Sequence, residues 1–301
     1  MRPTTRTRDL ALLGVATLAF ALSAPIARAA VGIPPVAIGA GRCAVGALAI
    51  VLLTPRLTTG AFRVLPTKSR VSLVLAGCLL AAHFALFLGG LARTSLPSAV
   101  ALVSLEPVAV VGAAWIAFGV RPTRREAVGI LIATLGAAVV ARDAGEGEST
   151  VLGDVMVIGA VVLYGAYVTA ARGLKEILPV LPYAAGVYGV ACLALLPFAI
   201  VAASRLPAPP FESVGWVIAL GLVATLIGHT LVMRASRHVA PSTVALVSPG
   251  ETVGSIAIGA LAQGAWPTNN EWLGVALVVT GATLAVTGSL ATPAADVSPS
   301  P

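Results

Sequence analysis

Residues 97–107 read Pro-Ser-Ala-Val-Ala-Leu-Val-Ser-Leu-Glu-Pro, and residues 241–251 read Pro-Ser-Thr-Val-Ala-Leu-Val-Ser-Pro-Gly-Glu. Apolar low-complexity sequence yields chance matches in Ala, Val and Leu, but not ordered matches in Pro, Ser and Glu. The agreement runs outward in both directions. At an offset of 144, Arg93 meets Arg237; one extra residue near Gly250 then moves the offset to 145. Beyond it Glu106, Gly119, Pro122, Thr123, Glu126, Gly129 and Gly136 meet Glu251, Gly264, Pro267, Thr268, Glu271, Gly274 and Gly281. Near the start, Asp9 and Gly14 meet Asp154 and Gly159. The chain is an internal duplication, with halves at 9–141 and 152–290.

The solvent for these halves follows from composition. Of 301 residues, 58% are hydrophobic and only 10% charged, where soluble domains carry about a quarter charged residues. That much apolar surface suits a lipid bilayer. A bilayer-crossing helix needs roughly 20 mostly apolar residues. Ten such runs occur: 10–28, 33–54, 71–92, 96–118, 126–141, 152–171, 182–203, 213–234, 240–262 and 272–290. The fold predicted is an all-α membrane protein of ten transmembrane helices, in two five-helix repeats. Five is odd, so the second half enters the membrane from the opposite side. That makes an inverted repeat, a common scaffold for alternating access around a site at the midplane. The tail 291–301 is small, polar and proline-bearing, and is expected to be disordered.

Arginine and lysine set the orientation. With both termini in the cytoplasm of a cell (plasma or inner) membrane, 14 of the 19 basic residues fall on the cytoplasmic side and 5 on the other. At the N-terminus, Arg2, Arg6 and Arg8, an apolar run and Ala27-Arg28-Ala29 resemble a cleavable signal peptide. The duplication argues for a span instead, because it makes 10–28 the counterpart of 152–171. The net charge of +7 is not a nucleic-acid footprint, since the basic residues form no stripe with interleaved aromatics. Cys43, Cys78 and Cys192 are scattered through apolar runs and read as packing residues.

Taken together, Ser98-Ala99-Val100 through Glu106-Pro107, Gly129 to Gly136 with its copy Gly274 to Gly281, Gly153-Asp154 with Tyr164 and Arg172, and Arg42 early in the second run resemble the drug/metabolite transporter superfamily in its two-repeat EamA form. The resemblance covers both halves. It implies ten helices with both termini cytoplasmic and transport of amino acids or other small metabolites. The sequence departs from the family pattern at Gly119-Val120 and Gly264-Ala265, where a Gly-Glu pair is frequent. It departs again at Pro249-Gly250-Glu251, where a Glu-Pro pair is usual.

The residues that stand out are polar groups at membrane depth. Glu106 and Glu251 lie near the middle of the fourth and ninth runs. A charged residue there costs about 2.5–3.5 kcal/mol on insertion scales. Such acids bind a substrate ammonium or carry a coupling proton, or else make a helix-packing hydrogen bond. Pro107 and Pro249 beside them remove a backbone donor and predict a kink. His83 and His229, in counterpart helices but two positions out of register, are candidate proton relays or structural hydrogen-bonders. Arg42 meets an acid or an anionic substrate, or snorkels to the surface. Tyr164 and Tyr167 are candidates for a pocket wall, whereas Tyr183 reads as interfacial. Ser104 and Ser248, close to the acids, donate to a substrate or to their own backbone.

No phosphate-binding Gly-x-x-x-x-Gly-Lys loop, metal-ligand spacing or nucleophile constellation occurs. The expectation is therefore no cofactor, no metal and no enzyme. The sequence predicts a secondary transporter of small metabolites (amino-acid-like solutes or drugs), an exporter with proton coupling. Its partners are a small-molecule substrate and the lipid bilayer, with no nucleic acid, and monomer and homodimer both fit. The alternative is a non-transporting membrane scaffold or sensor, which the short loops disfavour. A membrane-embedded enzyme is a third option, disfavoured because the polar groups are dispersed.

Overall fold

A computed structural model describes residues 5–119, 121–140, 150–171, 174–235 and 247–288. The described residues are helical throughout, apart from short connections. In chain order the helices are α1 (Thr5–Ala21), α2 (Ser23–Ala29), α3 (Pro35–Leu53), α4 (Pro55–Arg63), α5 (Thr67–Leu91), α6 (Leu96–Val103), α7 (Glu106–Phe118) and α8 (Arg124–Val140). The second half holds α9 (Val151–Ala170), α10 (Leu174–Ile177), α11 (Val180–Ala203), α12 (Phe211–Leu220), a π-helix (Gly221–His229), α13 (Thr230–Ala235), α14 (Val247–Gln263) and α15 (Asn269–Gly288).

Seven helical stretches are long and apolar enough to cross a membrane: Arg8–Ala29, Pro35–Leu53, Thr67–Leu91, Leu96–Ala117, Val151–Ala170, Val180–Ala203 and Phe211–Ala235. The other three expected runs are α8, α14 and α15, each bordering a segment outside the described residues. The tail 291–301 also lies outside the described residues, as do 240–246 of the ninth run. The outer surface is apolar, with Leu52, Leu53, Ile116 and Phe198 all well exposed, as suits helices dissolved in lipid.

Prolines open many helices where the sequence placed joints. Pro35, Pro97 and Pro107 occupy first-turn positions, where the missing N–H has no intrahelical partner to lose. Pro107 also breaks the fourth run. Its ring excludes the carbonyl one turn back, and the chain leaves α-geometry at Ser104 and Leu105 before resuming at Glu106. Pro25 acts similarly in the first run. The carbonyl of Ala21, four residues before it, instead accepts from Ser255 Oγ of α14 at 2.8 Å.

The duplication is visible in local geometry. Gly119 and Gly264 are both left-handed, at φ 70° and 68°. The α8 and α15 starts carry the same capping box: Glu126 Oε2 accepts from Thr123 N at 2.6 Å, and Glu271 Oε2 from Thr268 N at 2.8 Å. The two helices also pack on each other. Gly129 faces Gly281 and Ala285, while Gly136 faces Gly274 and Val278; Gly281 in turn faces Ala133, and Gly274 faces Val140. Partner numbers fall as residue numbers rise, so the pair is antiparallel. Each contact maps onto another of the set under the offset of 145. A two-fold axis therefore crosses the helices and inverts one half relative to the other.

Candidate functional site

Between the halves lies a small cavity of about 50 Å³, lined by residues from both. Of the residues singled out in the sequence, Arg42, His83, Glu106, Tyr164, His229 and Glu251 line it. Six different segments deliver them: α3, α5, α7, α9, the π-helix and α14.

Arg42 is buried, at 2% exposure, so it does not snorkel. Its Nε donates to Thr225 Oγ1 at 2.9 Å, and its guanidinium carbon sits 4.2 Å from the centre of the Phe84 ring. Those two contacts fix the plane of the group. No hydrogen bond from its Nη nitrogens is seen among the described residues, and Glu251 lines the same cavity.

His83 Nδ1 lies 2.9 Å from the carbonyl oxygen of Ala160. A carbonyl only accepts, so Nδ1 carries a proton and donates. In the neutral ring the lone pair is then on Nε2. That atom is 3.9 Å from Glu106 Oε1, too long for a direct hydrogen bond and within ion-pair range once the imidazole gains a second proton. The ring is held by Phe87, stacked at 6.2 Å and 8°, and by Tyr164 at 5.4 Å.

His229 reaches the same cavity although it is two positions out of register with His83. The π-helix supplies the reason. It closes i→i+5 rather than i→i+4, so each turn takes about one extra residue. Gly221–His229 spans nine residues, about two turns, and so absorbs about two residues. Phe20 meets the imidazole edge-on at 4.8 Å, and Tyr188 lies 6.2 Å away.

The remaining candidates lie outside the cavity lining. Tyr167 is buried and its hydroxyl bonds Tyr183 at 3.1 Å. Tyr183, near the start of α11, is packed inside the bundle at 1% exposure. Ser104 bonds Thr252 Oγ1, which also donates to the Val100 carbonyl at 2.9 Å. These bonds tie α6 to α14. Ser248 Oγ is buried without a hydrogen-bond partner among the described residues. Sequence reasoning passed over Phe20, Ser23, Phe84, Phe87 and Val103, which also line the cavity. Phe87 was legible, because positions 83 and 87 share a helix face; Phe20 and Ser23 carried no local signal.

The EamA-like transporter family matches residues 9–142 and 151–287. No curated protein matches the chain. A solved crystal structure shares 20% identity over 93% of this chain and 96% of its own, with a TM-score of 0.66; at that identity the likeness concerns the fold alone. The matches in both halves, the antiparallel glycine pair and the apolar exterior agree. The chain belongs to the EamA-like transporter family, and is a multi-pass membrane transporter of the drug/metabolite type.

Proposed function

We propose that the protein is a proton-coupled secondary transporter that exports a small amino-acid-like metabolite, using ten membrane helices with both termini cytoplasmic. The convergence of Arg42, Glu106, Glu251 and two histidines on one cavity carries this reading. Groups of both signs face each other there, so a solute bearing an ammonium and a carboxylate meets a partner for each. Phe20, Phe84, Phe87 and Tyr164 supply apolar walls. The outward direction is drawn from the family resemblance.

Coupling rests on Glu106 and His83. One proton serves the pair, residing on the carboxyl or on Nε2. A solute ammonium at Glu106 favours the carboxylate and moves the proton to His83 or out of the cavity. Solute and proton then compete for the same acid, which is the requirement for exchange. Inverted halves provide the two faces that alternate around the site.

The test is flux into proteoliposomes from a panel of labelled amino acids and related metabolites under an imposed pH gradient. Glu106→Gln is expected to abolish gradient-driven accumulation while leaving the helical content unchanged. Glu251→Gln is expected to weaken solute binding, read by thermal shift. If no solute moves under any gradient, and both variants leave cellular export unchanged, the reading fails.

A further inference from the structure

Helix α4 has no counterpart in the second half. At the offset of 144 its partner is the end of α11 followed by Ser204–Pro207. On α4, Thr58 is buried and bonds Thr54 at 3.1 Å, and the Phe62 ring lies against Gly186. These residues anchor one face to the bundle. Another face carries Leu57, Gly60, Ala61 and Val64, spaced i, i+3, i+4 and i+7 and therefore aligned. This stripe is not packed away: Leu57 is 47% and Val64 79% exposed. With Ile177, Leu178 and Pro179 it walls an open groove of about 350 Å³.

Arg56 is the charged residue of this lining. Arg63, Lys68 and Arg70 follow, and residues 54–72 contain no acid. Arg70 is used within the protein, its Nε donating to the Leu65 carbonyl at 2.9 Å. The guanidinium groups of Arg56 and Arg63 have no hydrogen-bond or ion-pair partner among the described residues. Just before α4 in the chain, Leu48, Leu52 and Leu53 at the end of α3 are exposed at 59%, 70% and 73%. In a chain that spans the membrane, surface of that kind suits lipid, and α4 begins at Pro55, directly after it. An apolar trough carrying Arg56, whose guanidinium has no partner among the described residues, matches an acyl chain joined to a phosphate.

We infer that this groove is a binding site for an anionic phospholipid, its phosphate on Arg56 and its acyl chain along Leu57, Ala61 and Val64. The site is separate from the central cavity and stands whether or not a solute passes there.

Native mass spectrometry of the full chain, with dimyristoylphosphatidylglycerol or dimyristoylphosphatidylcholine added, tests it. The wild-type protein retains phosphatidylglycerol in preference to phosphatidylcholine. Arg56→Gln lowers apparent phosphatidylglycerol affinity about fivefold, while Arg205→Gln, an exposed arginine of the other half, leaves it unchanged. Gly60→Leu fills the trough at a position where a Cβ meets nothing within 4 Å. It lowers phosphatidylglycerol retention while the melting temperature holds. Glycerophosphoglycerol, the headgroup without acyl chains, does not compete at concentrations where the lipid saturates. The site is overturned if the two lipids bind alike, if Gly60→Leu leaves retention unchanged, or if the bare headgroup competes as well as the lipid.

Discussion

Replacing Gly281 by alanine tests the antiparallel pair on which the inverted architecture rests. A Cβ at Gly281 falls 2.3 Å from the Ala133 backbone nitrogen and 2.6 Å from the Gly129 carbonyl oxygen. Both obstacles are main chain, so no rotamer change relieves them. Restoring a contact of 3.4 Å requires α8 and α15 to separate by about 1.1 Å at that point. A gap of that size forfeits about a quarter to a half of the dispersion attraction of the atoms it parts. Overpacking costs about 1–3 kcal/mol, and an immovable backbone places this site near 3 kcal/mol. Alanine recovers about 1 kcal/mol of helix propensity. The clash therefore wins, with a net loss of about 2 kcal/mol. The control is Gly189→Ala in α11, where a Cβ meets nothing within 4 Å and only the propensity gain operates. Unfolding free energies from denaturing-detergent titrations, followed by circular dichroism, measure both. A Gly281→Ala protein as stable as wild type, beside a normal Gly189→Ala control, would refute the close approach and the two-fold contact inferred from it.

Arg42→Lys keeps the charge but loses the Thr225 bond and the planar contact with Phe84. The apparent Kd of the transported solute is expected to rise about tenfold, measured by thermal shift against solute concentration; an unchanged Kd removes Arg42 from the site. Thr123→Val and Thr268→Val each delete a helix cap and should each cost about 1 kcal/mol of unfolding free energy. A cost confined to one half would deny the matching role assigned to the two caps. Tyr167→Phe removes the bond to Tyr183 and should cost about 1 kcal/mol with transport rate intact. Loss of transport at normal stability would instead put Tyr167 on the solute path.

Much of this was legible in one dimension. Ordered matches such as Glu106 with Glu251 and Gly129 with Gly274 revealed the duplication, and the odd number of runs per half implied inversion. Composition identified the bilayer as solvent. Pro107 beside Glu106 announced the break in the fourth run, because a missing N–H acts on its own helix whatever surrounds it. Other features were not legible. Ser104 and Glu106 are two residues apart, yet one ties α6 to α14 and the other faces the cavity. The packing of Tyr183 inside the bundle, against Tyr167, carried no local signal. His229 looked out of register until the π-helix took up the difference.

What the sequence determined by itself is what acts locally or through bulk composition: the solvent, the repeat, the helix ends and the presence of ionisable groups at depth. Only the tertiary structure decided which side of each helix faces inward, and so which polar groups share a cavity. The physical reason is the bilayer. In water an amphipathic stripe marks the buried face of a helix. In lipid the outer face is as apolar as the inner one, so that stripe is missing and packing alone selects the face.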